Sequence, residues 1–251
     1  MTAGSPSSPA AVDRQPPAAE RARTVALRPA AALHVAGLGA CQVSAVATTG
    51  DGDVLLVVPA GGGVQTALRD SPLGDVPAML TITDRAPFPL RHPVRAMVQL
   101  TGWLTPVPEP EVPAQVLAFA ESCPAEALFE VGLGTVLVRL DLAEVGLEEA
   151  GTSVDVDPDA FRAARPDVVS GAEGELVAQQ RAPLDRLVGR VQRWAGRHDD
   201  VRLLGLDRFG VRFRVQSRHG CYDLRVPFES PLDGPAGFGE AVEHLLTCGP
   251  A

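Results

Sequence analysis

Lysine is absent from this sequence: all 22 of its basic residues are arginines. That absence excludes a Walker A lysine, a Schiff-base lysine and a lysine general base together. Aromatic residues make up only 4% of the 251 positions, which leaves few platforms for stacked bases. The formal net charge of -9 argues against a general affinity for nucleic acid or for an anionic membrane, since both favour a basic face. No apolar run approaches the ~20 residues of a membrane-spanning helix. Cysteine is scarce too. Cys41, Cys123, Cys221 and Cys248 form no C-x-x-C pair, so a zinc knuckle or thioredoxin-like site is excluded, and they read as reduced, mostly buried thiols of a cytoplasmic protein. The H-E-x-x-H, G-x-S-x-G and G-x-G-x-x-G signatures are all missing. The chain carries no complete catalytic set.

What is present is a 45% hydrophobic composition, sufficient for a sizeable core at this length. Residues 1–19 are rich in Pro, Ser and Ala without periodicity and read as a disordered tail. Glu20 to Leu33 reads as a short helix interrupted by Pro29. The run Leu38-Gly39-Ala40-Cys41, preceded by Arg21, Arg23 and Arg28, resembles a bacterial lipoprotein cleavage box. His34 interrupts its apolar segment and acidic residues lie upstream, so Ala40 to Thr48 reads instead as a core strand.

From there the pattern is β-rich. Val43 to Val46 and Val54 to Val58, joined by Thr-Thr-Gly-Asp-Gly-Asp, form a hairpin. Val64 to Asp70 is a short helix and Ala78 to Thr83 a strand. Val94 to Leu104 alternates with Val94, Ala96, Val98 and Leu100 on one face and Arg95, Met97, Gln99 and Thr101 on the other, outer face. Pro110 to Cys123 is helical, and Thr135 to Leu142 alternates again, with Val145 to Leu147 and Thr152 to Val156 extending or pairing with it. These segments predict a barrel unit over 20–156, of about six mainly antiparallel strands, closed or nearly so. Residues 157–174 read as a linker with one helical piece. Residues 175–251 read α-β-β-β-α: a stripe through Leu184, Leu187, Val188, Val191 and Trp194, three strands, and a terminal helix around Val242 and Leu245. The fold class is α+β.

The two-part order resembles a known family. Pro77-Ala-Met-Leu-Thr-Ile-Thr-Asp84, the strand Val94 to Trp103, Leu204-Gly-Leu-Asp-Arg-Phe-Gly-Val211 and Tyr222-Asp-Leu-Arg-Val-Pro-Phe228 carry the match. The first part resembles the split β-barrel of pyridoxamine-phosphate-oxidase-like, FMN-binding flavoproteins and of haem-utilisation proteins. The second resembles the small domain of unknown function that follows such barrels. The same pairing occurs in plant proteins that bind glutamyl-tRNA reductase and in many actinobacterial proteins. The resemblance implies a homodimer with ligand sites at the dimer interface; it does not fix the chemistry.

Against that family the candidate site residues divide into two sets. Flavin phosphate would be held after the second barrel strand, where Gly61-Gly62-Gly63 precedes Gln65, Thr66 and Arg69, with Arg95 of the alternating strand as a further basic candidate. The strand Val54 to Val58 offers no basic or hydroxyl ligand, so FMN is the less favoured cofactor. Haem-utilisation relatives supply an axial histidine near the chain end, which singles out His219 as the iron ligand, with Arg218 beside it for a propionate. His92, between Arg91 and Arg95, marks a second positive locus, and His244 lies off the apolar stripe of its helix. Many relatives carry a histidine where this chain has Gln179-Gln180-Arg181, so any role of that residue is lost here. The expectation is a dimeric protein without its own catalytic set that binds haem, another anionic small-molecule cofactor, or a protein partner. A flavin-dependent oxidoreductase and a pure protein-interaction module are the alternatives.

Overall fold

The computed structural model describes residues 15–218 and 220–248. Eight strands make one curled antiparallel sheet, a half-barrel: β1 (Ala31–Val35), β2 (Gly39–Cys41), β3 (Ala45–Thr48), β4 (Val54–Pro59), β5 (Val76–Arg85), β6 (Val94–Pro106), β7 (Thr135–Glu149) and β8 (Thr152–Val156). The order is β2-β1-β5-β6-β7-β4-β3, with β8 pairing β7. The long β7 organises the curl. One edge pairs β6 from Ala96↔Glu149 to Pro106↔Val138; the other pairs β4 through its first half and β8 through its second. A bulge between Thr101 and Gly102 bends β6 against Asp141. Only glycine fits there, because a Cβ on Gly102 would lie 1.9 Å from the Asp141 carbonyl oxygen.

β4 is apolar on both faces because both are covered. Val54, Leu56 and Val58 join Leu80, Ile82, Val98 and Leu100 in the main core. Leu55 and Val57 face an outer cluster around Phe119. Helix α1 (Ala18–Ala26) and helix α4 (Pro158–Ala163) cover the main core with Ala22, Val25, Ala26 and Phe161. Helix α2 (Gly63–Asp70) adds Val64 and Leu68, and α3 (Val112–Ser122) carries Phe119. Buried Arg23 ties α1 to the β3–β4 turn and the end of α4, donating to the carbonyls of Thr49 (2.8 Å) and Ala164 (3.2 Å). Burial, reinforced by Arg165, pulls its pKa below the ordinary arginine value.

The second unit holds α5 (Val168–Gly171), α6 (Glu173–Gln179), α7 (Arg181–Gln192) and α8 (Phe238–Cys248) with the antiparallel sheet β9 (Asp200–Asp207), β10 (Gly210–Ser217) and β11 (Gly220–Pro227), in order β11-β10-β9. Leu184, Leu187 and Val191 of α7 and Phe238 and Val242 of α8 pack with Val211, Phe213 and Val215 of β10. The alternate residues Arg212 and Arg214 turn the other way, toward the half-barrel.

Several expectations are corrected. The helix ends at Ala26 rather than running to Leu33, because the residue before Pro29 is driven out of the helical region; Ala31–Val35 instead becomes a strand between β2 and β5. The sheet has eight strands, not six, and its path runs open from β2 to β3 among the described residues. Gly39–Cys41, within the lipoprotein-like box, is paired β2. The segment 157–174 is structured: Asp157 caps α4, Asp167 caps α5, and Val169 enters the second core. Trp194 falls beyond α7 and is exposed, and Cys221 is exposed rather than buried. Residues 1–14 of the expected tail lie outside the described residues, while Ala18 and Ala19 belong to α1.

Candidate functional site

The two units meet along a seam of arginines. Arg95 is its centre. A bulge at Asp84/Arg85, opposite Arg95, breaks the alternation of β6, so this arginine is buried rather than solvated on the outer face. Its Nε donates to Asp84 (2.6 Å), its Nη1 and Nη2 each to a Glu173 carboxylate oxygen (2.7 Å), and Nη1 also to the Leu204 carbonyl (3.0 Å). Burial alone would depress the guanidinium; the bonds to Glu173 and Asp84 outweigh it and hold its pKa above the ordinary value. Gly205 lets this happen, since a Cβ there would lie 2.5 Å from Arg95 Nη1. Arg208 adds a bidentate pair to Glu20 of α1 (2.9 and 2.7 Å). Arg214 grips Asp223 with two bonds (2.7 and 2.9 Å) and donates to the carbonyls of Val94 (2.8 Å) and His92. Hydrogen bonding to Asp223, more than enough to offset burial, raises its pKa. These clamps fix both walls of a cleft.

The cleft contains two adjoining cavities that share Glu149, Ala150 and Asp223. One, about 610 Å³, is bounded by His92, Met97 and Glu148 on the half-barrel and by Arg214, Cys221 and Tyr222 on the second sheet. The other, about 520 Å³, takes Arg21 and Thr152 from the first unit and Arg212 and Arg225 from the second. Both volumes suit a small-molecule ligand, for which ~300–1,000 Å³ is usual. At the shared rim, Ala150 (φ +48°) and Gly151 (φ +78°) make the tight β7–β8 turn, a left-handed backbone that an alanine adopts only at a cost. The described residues contain no cluster of three or more His, Cys, Asp or Glu suited to a metal ion.

The sequence-derived candidates are not gathered in one place. His92 and Arg95 bound the 610 Å³ cavity, although Arg95 is saturated by carboxylates and has no donor to offer an anion. Arg69 lines a separate, more apolar cavity with Gln65, and Thr66 is exposed on the same helix. Gln65 Oε1 accepts the Gly61 N–H (2.6 Å), closing the glycine turn on itself. Arg218 is exposed at the β10–β11 turn, and His219 lies outside the described residues. His244 sits 3.6 Å from Glu229, away from the cleft.

Glu173, Arg212, Arg214, Asp223 and Arg225 were not singled out in the sequence, yet one signal was present for the last four. The β10–β11 register, which pairs Ser217 with Gly220, places Arg214 opposite Asp223 and Arg212 opposite Arg225. For Glu173 no local signal exists, since its partner lies 78 residues away.

The fold is similar to that of a haem-binding protein from Mycobacterium smegmatis, with a TM-score of 0.63 and 20% identity over 92% of this chain and 97% of that one. Two weaker likenesses carry no argument: a protein of unknown function from Agrobacterium tumefaciens (TM-score 0.42, 19% identity, 91% and 94% covered) and an FAD- and haem-binding protein from M. smegmatis (0.39, 16%, 58% and 78%). No protein-family model matches the chain, and no curated protein sequence matches it. The first likeness establishes a shared fold spanning both units.

Proposed function

We propose that this is a split-barrel protein that binds haem, or another flat cofactor bearing carboxylates, in the 610 Å³ cavity of the inter-unit cleft, and that it has no catalytic set of its own. The observation that carries the reading is the position of that cavity. Cys221 and Tyr222, two and three residues after His219 in the sequence, form one wall, and His92 belongs to the other. A histidine that ligates haem iron does so as a neutral imidazole, and His219 is the ligand we assign, with Arg218 for a propionate. Tyr222 is the competing oxygen donor. The full-length likeness to a haem-binding protein supports the same reading. Bound haem would supply redox or gas-binding chemistry; the chain would hold it, exclude water and offer a side-chain ligand to it.

FMN is disfavoured because the glycine turn spends the Gly61 N–H on Gln65 and the β4 strand is apolar on both faces. We further propose a homodimer, in which Leu117, Phe129 and Leu133, all more than 60% exposed, are covered by a second copy. The test is extraction of the protein purified from haem-replete cells. Haem approaching one per chain, with FMN absent, is the expected result. Stoichiometric FMN would make it a flavoprotein, and neither cofactor would favour the interaction-module alternative.

A further inference from the structure

We propose that the adjoining 520 Å³ cavity is a separate binding site for a small oxyanion, a phosphate or carboxylate group, centred on Arg212. The charges around it account for one another with a single exception. Glu149 accepts from Arg21 (2.6 Å), Asp223 is held by Arg214 (2.7 and 2.9 Å), and Arg225 is paired with Asp207 (2.5 Å). Arg212 lines the cavity half-buried, and its guanidinium has no hydrogen bond or ion pair among the described residues. It is therefore the unpaired cation among the described residues that line this cavity.

Its position sharpens the point. Arg212 lies directly across the β10–β11 ladder from Arg225, and like charges in that relation repel. On its other side it faces Gly205, which has no side chain to answer it. Two arginines from one sheet and Arg21 from α1 thus converge on a walled space, with Thr152 offering a hydroxyl at its edge. Guanidinium groups bind carboxylate and phosphate by paired N–H bonds, and a partly desolvated cleft strengthens those bonds. An oxyanion here meets the unpaired Arg212 guanidinium and relieves the Arg212–Arg225 repulsion.

Two sources share this chemistry: a free anionic metabolite, or a carboxylate of the cofactor proposed for the neighbouring cavity. The experiment separates them and does not depend on haem binding. Inorganic phosphate, and in parallel succinate, is titrated into the full-length protein at low ionic strength, read by calorimetry and by the rise in melting temperature, which follows ligand occupancy. We expect saturable binding of at least one probe by the wild type and by the control Arg197→Gln, weakened by about tenfold or more in Arg212→Gln and only partly in Arg212→Lys. Haemin added first distinguishes the sources: loss of phosphate or succinate binding assigns the site to a cofactor carboxylate, and retention assigns it to a separate ligand. No saturable response to either probe, or equal binding by Arg212→Gln, overturns the proposal. So does binding that appears only in Asp13→Asn, which would give Arg212 to a carboxylate of the chain's own leading segment.

Discussion

Arg95 and Glu173 hold each other across the seam by two parallel hydrogen bonds of 2.7 Å, both side chains buried, from positions 78 residues apart. The pair joins the half-barrel to the second unit beside the cleft. Truncation of Arg95 strands two buried carboxylates, Asp84 and Glu173. Arg95→Leu should lower the unfolding free energy by about 3–5 kcal/mol, measured by urea denaturation. A loss below about 1 kcal/mol would mean that the seam is solvated in solution.

The same pair sets a pH expectation. A guanidinium held above its ordinary pKa contributes its full stabilisation at every pH below that ordinary value and loses it only as pH rises through the folded-state value, in strong alkali. Arg208 and Arg214 are raised in the same direction, by Glu20 and Asp223 respectively. The difference in stability between wild type and Arg95→Leu should therefore show no arginine titration between about pH 6 and 9. A decline of that difference toward pH 9 would contradict the assignment.

Gly205→Ala tests the close approach independently. A methyl 2.5 Å from Arg95 Nη1 and 3.0 Å from Glu173 Oε1 must displace one of them. We expect a loss of about 1–3 kcal/mol, in the range of overpacked sites. Combined with Arg95→Leu, the two losses should fall well short of additive, because the clash partner is gone.

Ala150 gives a prediction of the opposite sign. At φ +48° an alanine is strained, whereas glycine or asparagine is at ease. Ala150→Gly and Ala150→Asn should each raise stability, by up to about 1 kcal/mol in thermal or urea unfolding. A loss in both would show that the alanine side chain is needed at the cleft rim.

Phe129 is 84% exposed and Leu133 81%, so replacing them should barely alter the stability of one chain, by ~0.5 kcal/mol or less. If they form the proposed dimer face, Phe129→Ser with Leu133→Ser should convert a species of twice 26.2 kDa into one of 26.2 kDa in light scattering coupled to size exclusion. A wild-type monomer would remove the dimer proposal.

Much of the secondary structure was legible because period 2 and period 3.6 are local. The β3–β4 hairpin, the alternation of β6, the stripe of α7 and the β10–β11 hairpin all follow from it. What local pattern misses is what distant partners decide. Ala31–Val35 reads as a helical continuation until β2 and β5 supply its hydrogen bonds. Arg95 reads as an outward-facing residue until Asp84, Glu173 and the bulge take it inward. The cleft itself is assembled from α1, the β6–β8 edge and two strands of the second unit, so no contiguous motif announces it.

The proposed function is tested most directly by haemin titration followed by absorbance, comparing wild type with His219→Ala, His92→Ala, Tyr222→Phe and His244→Ala. We expect a saturable Soret shift at one haem per chain that is lost in His219→Ala, is weakened in His92→Ala through the facing wall, and is unchanged in His244→Ala. Identical spectra for all five proteins would mean that haemin adsorbs without a site, and would contradict cofactor binding in the cleft.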